Sequence, residues 1–123
     1  MANILTTFEI NAADLDRAAK FYSAVLGKEV PIQTIGGEKG GLLSSEGDAL
    51  MGVIRCAPDY AKPSDQGTNV YFRIETGLDQ ALARVEQLGG KILVPKMDAG
   101  DFGQFSWILD SEGNRVGLNQ PKQ

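Results

Sequence analysis

The chain has 123 residues, 42% apolar and 23% charged, which reads as one globular domain long enough to bury a core. Sixteen acidic residues against twelve basic ones leave a net charge of −4 and no basic stripe, which speaks against nucleic acid as a partner. No apolar run approaches the length of a membrane span and no secretory leader opens the chain, so the expectation is a cytoplasmic protein with no membrane partner.

In chain order, residues 3–11 alternate as a strand, with Phe8 and Ile10 on one face and Thr7, Glu9 and Asn11 on the other. Asp14 fits an N-cap. Leu15, Ala18, Ala19, Tyr22, Val25 and Leu26 follow at helical spacing, and Gly27 closes that helix. Residues 29–35, 41–45 and 49–56 read as three strands, the last two joined at Ser45-Glu46-Gly47-Asp48. The glycine-rich run 36–41 precedes a strand rather than opening a helix, so it reads as a hairpin loop and not as a phosphate cradle. Pro58 and Pro63 mark a polar linker over 58–67.

The second half begins with a strand over 69–75, in which Val70, Phe72 and Ile74 oppose Asn69, Tyr71 and Arg73. Leu78, Ala81, Leu82, Val85 and Leu88 line one helix face, and Gly89 ends it. A strand over 91–95 and a polar loop over 97–104 lead to a hairpin over 105–118. That hairpin turns on Asp110-Ser111-Glu112-Gly113-Asn114, where Gly113 supplies a positive φ.

The halves repeat each other. Ser45-Glu46-Gly47-Asp48 matches Ser111-Glu112-Gly113-Asn114, and Leu15-Asp16-Arg17-Ala18 matches Leu78-Asp79-Gln80-Ala81. Leu26-Gly27 likewise matches Leu88-Gly89, and Val30-Pro31 matches Val94-Pro95. Two copies of one unit predict an α+β fold of two βαβββ modules, residues 1–57 and 68–123, joined by the linker at 58–67. Polar strand faces such as Thr7, Glu9 and Asn11 have no place in a dry core. Either that sheet face is wet, as antiparallel sheets allow, or the mixed sheet curls into a cup lined by those faces, with the helices outside.

Several chemistries are excluded at this stage. With no histidine in the chain, the commonest general base and transition-metal ligand are absent, and a histidine-dependent serine triad cannot form. The single cysteine, Cys56, cannot form an internal disulfide and is expected to pack as a small hydrophobe.

Taken together, the paired βαβββ units resemble the vicinal oxygen chelate superfamily, the group of glyoxalase I, the bleomycin-resistance proteins and the extradiol dioxygenases. The residues that carry the likeness are Phe8-Glu9-Ile10, Asp14 to Ala18, Phe21-Tyr22, Val25-Leu26-Gly27, and Asp110 to Asn114 with Val116-Gly117-Leu118. The nearest likeness is to small bacterial glyoxalase-like proteins. The resemblance covers nearly the whole chain and is specific for fold, not for reaction. In metal-dependent members the ligands, usually His or Glu, come from the inner faces of the first and last strand of each half. Carried over, those positions fall on Thr7, Met51, Asn69 and Gly117. None of these residues brings a charged ligand, so neither metal nor cofactor is expected.

The resemblance implies a small organic ligand in the cup, and it allows either a cup completed within one chain or a homodimer. The candidate ligand-binding residues are Thr7, Glu9, Asn11, Met51, Asn69, Tyr71, Arg73, Trp107, Arg115 and Asn119. Two arginines against one carboxylate favour a ligand with an anionic or carbonyl oxygen, with Arg73 as its main contact and Tyr71 or Met51 against its apolar part. The competing expectation is a Glu9–Arg73 ion pair that leaves nothing for a ligand. Trp107, with Phe102 and Phe105, is either a ligand wall or core. The rival function is a metal-independent lyase or isomerase with Glu9 as general base and Arg73 or Tyr71 stabilising developing charge. A third reading fills the cup with side chains and leaves a surface for protein contact.

Overall fold

Period-two alternation and two amphipathic helices organise the chain as the repeat predicts. The computed structural model describes residues 5–44, 50–59 and 61–122. The first module runs β1 (Thr7–Asn11), α1 (Leu15–Leu26), β2 (Ile32–Ile35), β3 (Glu38–Ser44) and β4 (Met51–Arg55). The second runs β5 (Tyr71–Arg73), α2 (Leu78–Gln87), β6 (Lys91–Asp98), β7 (Gln104–Leu109) and β8 (Arg115–Gln120). Each module forms a mixed four-stranded sheet, in the orders β1-β4-β3-β2 and β5-β8-β7-β6. The first strand of each module lies parallel to the last, and the other neighbours are antiparallel.

The helix ends follow from their residues. Asp14 accepts the Arg17 backbone N–H at 3.0 Å, and Gly27 takes the left-handed conformation at φ 70°. Helix α1 buries Ala18, Ala19, Phe21, Tyr22 and Val25, and α2 buries Leu78, Ala81, Leu82 and Val85. These side chains belong to one core that crosses the modules. Phe72 of β5 meets Phe8 of β1 edge to face at 5.9 Å and Tyr22 of α1 at 5.2 Å. Burying each large apolar side chain stabilises the fold by about 1.5–3 kcal/mol, so the shared core holds the halves together.

Three expectations need correction. The glycine-rich loop shrinks to a two-residue turn, because Ile35 already pairs with Glu38; Gly36 and Gly37 take φ 63° and 88°, as such a turn requires. The polar loop expected at 97–104 is shorter, because β6 runs on to Asp98 and pairs Met97 with Phe105. Pro95 fits inside β6 because β6 is an edge strand with two register shifts, and an edge strand has backbone positions that owe no hydrogen bond to a neighbour. Cys56, expected to pack, is exposed just past β4, with its thiol 3.6 Å from the Ala13 carbonyl.

The expected positive φ at Gly113 is present at 93°, whereas the matching turn at 45–48 lies outside the described residues. Among the described residues, no helix is long and apolar enough to cross a membrane.

Candidate functional site

Strand register decides which polar side chains share a face. In the first module Thr7, Glu9 and Asn11 lie beside Met51, Val53 and Arg55 of β4. The Glu9 carboxylate has Arg55 as its partner, at 3.5 Å, and the same guanidinium lies 3.7 Å from Glu38. The expected Glu9–Arg73 pair is therefore not formed, because β4 and not β5 is the hydrogen-bonded neighbour of β1. Glu9 is about half exposed.

In the second module Tyr71 lies beside Gly117, which lies beside Trp107. A side chain at 117 would collide with the Tyr71 ring, so only glycine lets that ring lie against the strand. The Trp107 indole N–H donates to the Tyr71 hydroxyl at 2.6 Å. Arg115 sits over the Trp107 ring, 5.3 Å from its centroid. Its Nε donates to Asn69 Oδ1 at 2.9 Å and its Nη2 to the Gly67 carbonyl at 3.2 Å. Phe102 stands edge-on to Tyr71 at 6.1 Å, in the short 3-10 turn Gly100–Phe102 between β6 and β7.

These pairings also shift one assignment. If Met51 corresponds to Gly117, then the partner of Thr7 is Tyr71 rather than Asn69, which lies two residues earlier. The four positions then carry threonine, methionine, tyrosine and glycine, and the tyrosine hydroxyl already accepts from Trp107. Among the described residues, no three His, Cys, Asp or Glu side chains gather as a metal site. This donor set does not fit a divalent ion, which wants several charged or strongly donating ligands at once.

A cleft of about 310 Å³ opens at the seam between the modules. Glu9 and Asn11 of β1 line it from the first module, Thr68, Asn114 and Arg115 from the second, and Lys62, Ser64 and Gln66 from the linker. Phe8, Ile10, Val70 and Val116 add apolar surface. The linker is tied to both modules. Asn11 Nδ2 donates to the Lys62 carbonyl at 3.4 Å, Arg115 reaches Gly67, and the Ser64 backbone N–H donates to Asn114 Oδ1 at 2.9 Å. A larger hollow, about 430 Å³, opens beside Cys56, Glu38 and Lys39 but holds none of the candidate residues.

Of the candidates, Glu9, Asn11 and Arg115 come together in the seam cleft, while Asn69 and Trp107 hold Arg115 and Tyr71 adjoins Trp107. Thr7, Met51 and Arg73 do not line the cleft. Arg73 is exposed and has no side-chain hydrogen bond or ion pair among the described residues. Asn119 is 9% exposed, and its amide donates to the Phe102 and Gln104 carbonyls, so it holds the 3-10 turn in place. The linker side chains are not legible in the sequence because polar residues around Pro63 look like solvated chain.

The turn before Arg115 fixes this geometry. The buried Asp110 accepts the backbone N–H groups of Glu112 and Asn114, the Asn114 side-chain amide and, at 2.6 Å, the Tyr22 hydroxyl. Burial, with Asp110 alongside, pushes the Tyr22 phenol well above its ordinary range. Asn114 also donates to the Asn11 carbonyl at 2.7 Å. Glu112 reaches the start of α1, where it accepts the backbone N–H groups of Ala13 and Asp14 and pairs with Arg17 at 2.7 Å. Burial alone would raise its carboxyl, but the hydrogen bonds from Arg17, then Asp14, Ser111 and Ala13, outweigh that and hold it at about 2.

Known proteins share this architecture. The family profile described as Glyoxalase/Bleomycin resistance protein/Dioxygenase superfamily matches residues 4–118. A Mycobacterium bovis protein that bears the name "Putative glyoxylase CFP32" is 26% identical over 114 residues. That match takes in 91% of this chain but only 43% of the relative, so the chain spans less than half of that protein's length. Among solved structures, a glyoxalase/bleomycin resistance protein from Albidiferax ferrireducens aligns with a TM-score of 0.70 at 18% identity, covering 96% of this chain and 99% of the other. TnmS3, an antibiotic binding protein from a Streptomyces species, aligns with a TM-score of 0.65 at 21% identity, covering 98% of each chain.

Proposed function

Because this chain belongs to the glyoxalase/bleomycin resistance protein/dioxygenase superfamily, we propose that it binds a small organic molecule in the seam cleft and uses no resident divalent metal. One observation carries this reading. Arg115 is held from two sides by Asn69 and Gly67 and stacked on Trp107, yet its Nη1 has no hydrogen bond among the described residues and it lines the cleft. A guanidinium fixed in advance, with donors to spare, suits a carboxylate or carbonyl oxygen. The cleft volume lies at the small end of the range for ligand sites, and its mixed apolar and polar lining is of the usual kind. An antibiotic-binding relative of the same fold is in keeping with a binding role.

The rival role for Glu9 as general base finds no support in its setting. Glu9 is half exposed and faces Arg55, a guanidinium it shares with Glu38, which is the setting of a surface ion pair. Arg115, held by Asn69 and Gly67 and lining the cleft, suits the anchor role better than the exposed Arg73.

The test is a thermal-shift screen of small carboxylates, ketones and amides, with hits mapped by amide and indole NMR shifts. Ligand at about 100 times its dissociation constant should add about 2.7 kcal/mol of stability. The expected shifts fall at Glu9, Asn11, Gly67, Thr68 and the Trp107 indole. Hits that move resonances elsewhere and leave these still would overturn the assignment.

A further inference from the structure

We infer that the seam cleft selects a small zwitterion, a molecule carrying both a carboxylate and an ammonium group, as an α-amino acid does. This rests on the binding reading above and adds the chemical class of the ligand. The charges that face the cleft are unlike, and they come from different walls. Arg115 belongs to the second module, Lys62 to the linker and Glu9 to the first module.

Each has capacity left for a ligand. Arg115 keeps Nη1 free while its other nitrogens fix the plane of the group. Glu9 is 3.5 Å from Arg55, too long for a short charge-assisted bond, so its oxygens keep room for a further donor. Asn11 spends its amide N–H on Lys62, which leaves its side-chain oxygen as a second acceptor beside Glu9.

Charge excludes the simpler ligands. A dianion would set its second charge against Glu9, and a plain cation would meet Arg115 and Lys62. A neutral molecule would cover ionised groups without compensating them, which is unfavourable. A carboxylate on Arg115 with an ammonium on Glu9 and Asn11 satisfies both sides, and the apolar surface of Phe8, Ile10 and Val70 is left for a side chain.

The experiment is calorimetric titration of the wild-type protein with the common L-amino acids. The best binder is then compared with its methyl ester and its des-amino acid. Removing either charge should weaken binding by about tenfold or more, the change that accompanies loss of one charge-assisted contact. In Glu9→Gln the amino acid and its des-amino acid should bind alike, while the ester should still bind more weakly than the acid. The analogue series on wild type needs no variant, so a misfolded Glu9→Gln leaves the result intact. Equal affinity for amino acid, ester and des-amino acid overturns the inference. Should singly charged or neutral compounds bind at the cleft while no amino acid does, the zwitterion falls and the binding reading stands. Should no compound of any class bind, both fall.

Discussion

Glu112→Gln tests whether the clasp on α1 contributes to stability as its geometry implies. The Glu112 side chain is fully covered, and its carboxyl is lowered from an ordinary 4.5 to about 2. At about 1.36 kcal/mol per pH unit, that difference corresponds to about 3 kcal/mol as an upper bound. Arg17 is 54% exposed, so solvent screens the pair and about half of that figure is the better expectation. The sign follows from a depressed folded value. The contribution is complete above about pH 4.5 and disappears as pH falls through about 2.

The assay is urea denaturation of wild type and Glu112→Gln at a series of pH values from neutral to 2. At neutral pH the variant should be less stable by about 1.5–3 kcal/mol, and the gap should close towards pH 2. A glutamine sets a donor against Arg17 much as a protonated Glu112 would, so the two proteins should converge in acid. A gap that is the same at every pH would mean that shape and not charge carries the clasp, and the reasoning would fail.

Protein purified without chelator should carry no stoichiometric zinc, nickel, iron or manganese; about one metal per chain, removable only with loss of structure, would refute the reading of Thr7, Met51, Tyr71 and Gly117. Gly113→Ala forces a side chain to φ 93° and should cost roughly 1 kcal/mol or more in a denaturation midpoint. Gly117→Ala should push the Tyr71 ring off the strand and free the indole of Trp107, the chain's single tryptophan, so its emission should shift while far-ultraviolet circular dichroism stays the same. Unchanged emission in a folded Gly117→Ala protein would place Tyr71 elsewhere.

What could be read from the residues was local. The alternation that put Phe72 and Ile74 on the core face, the Asp14 cap, the Gly27 end and the Gly113 turn each depend on a few neighbouring residues, and each is present. The paired modules followed from comparing one half with the other. Partnership across strands was out of reach. Glu9 meets Arg55 only because β4 inserts between β1 and β3, an order that no local pattern encodes. Matching Thr7 to Asn69 instead of Tyr71 slipped by two residues, which keeps the face and loses the register, since side chains in a strand alternate with period two. The linker's part in the cleft was hidden for another reason. Its ties to the modules are single hydrogen bonds from distant side chains, and composition does not reveal those.

The turn at Asp110–Asn114 has a bearing on how such a chain can evolve. It comes from the second half of an internal duplication, yet its partners Ala13, Asp14, Arg17 and Tyr22 lie in the first. A copy of the second half put in the first half's place would bring Gln80 where Arg17 stands, and Glu112 would lose its ion-pair partner. The next residue along is Arg115, already in the cleft wall. Inheritance thus links two traits at one short segment, so a substitution there that retunes what the cleft accepts also disturbs how the halves are fastened. New ligand preferences in descendants of this chain should arise first on the linker side, at Lys62, Ser64, Gln66 and the adjoining Thr68, where exposed side chains are free to vary.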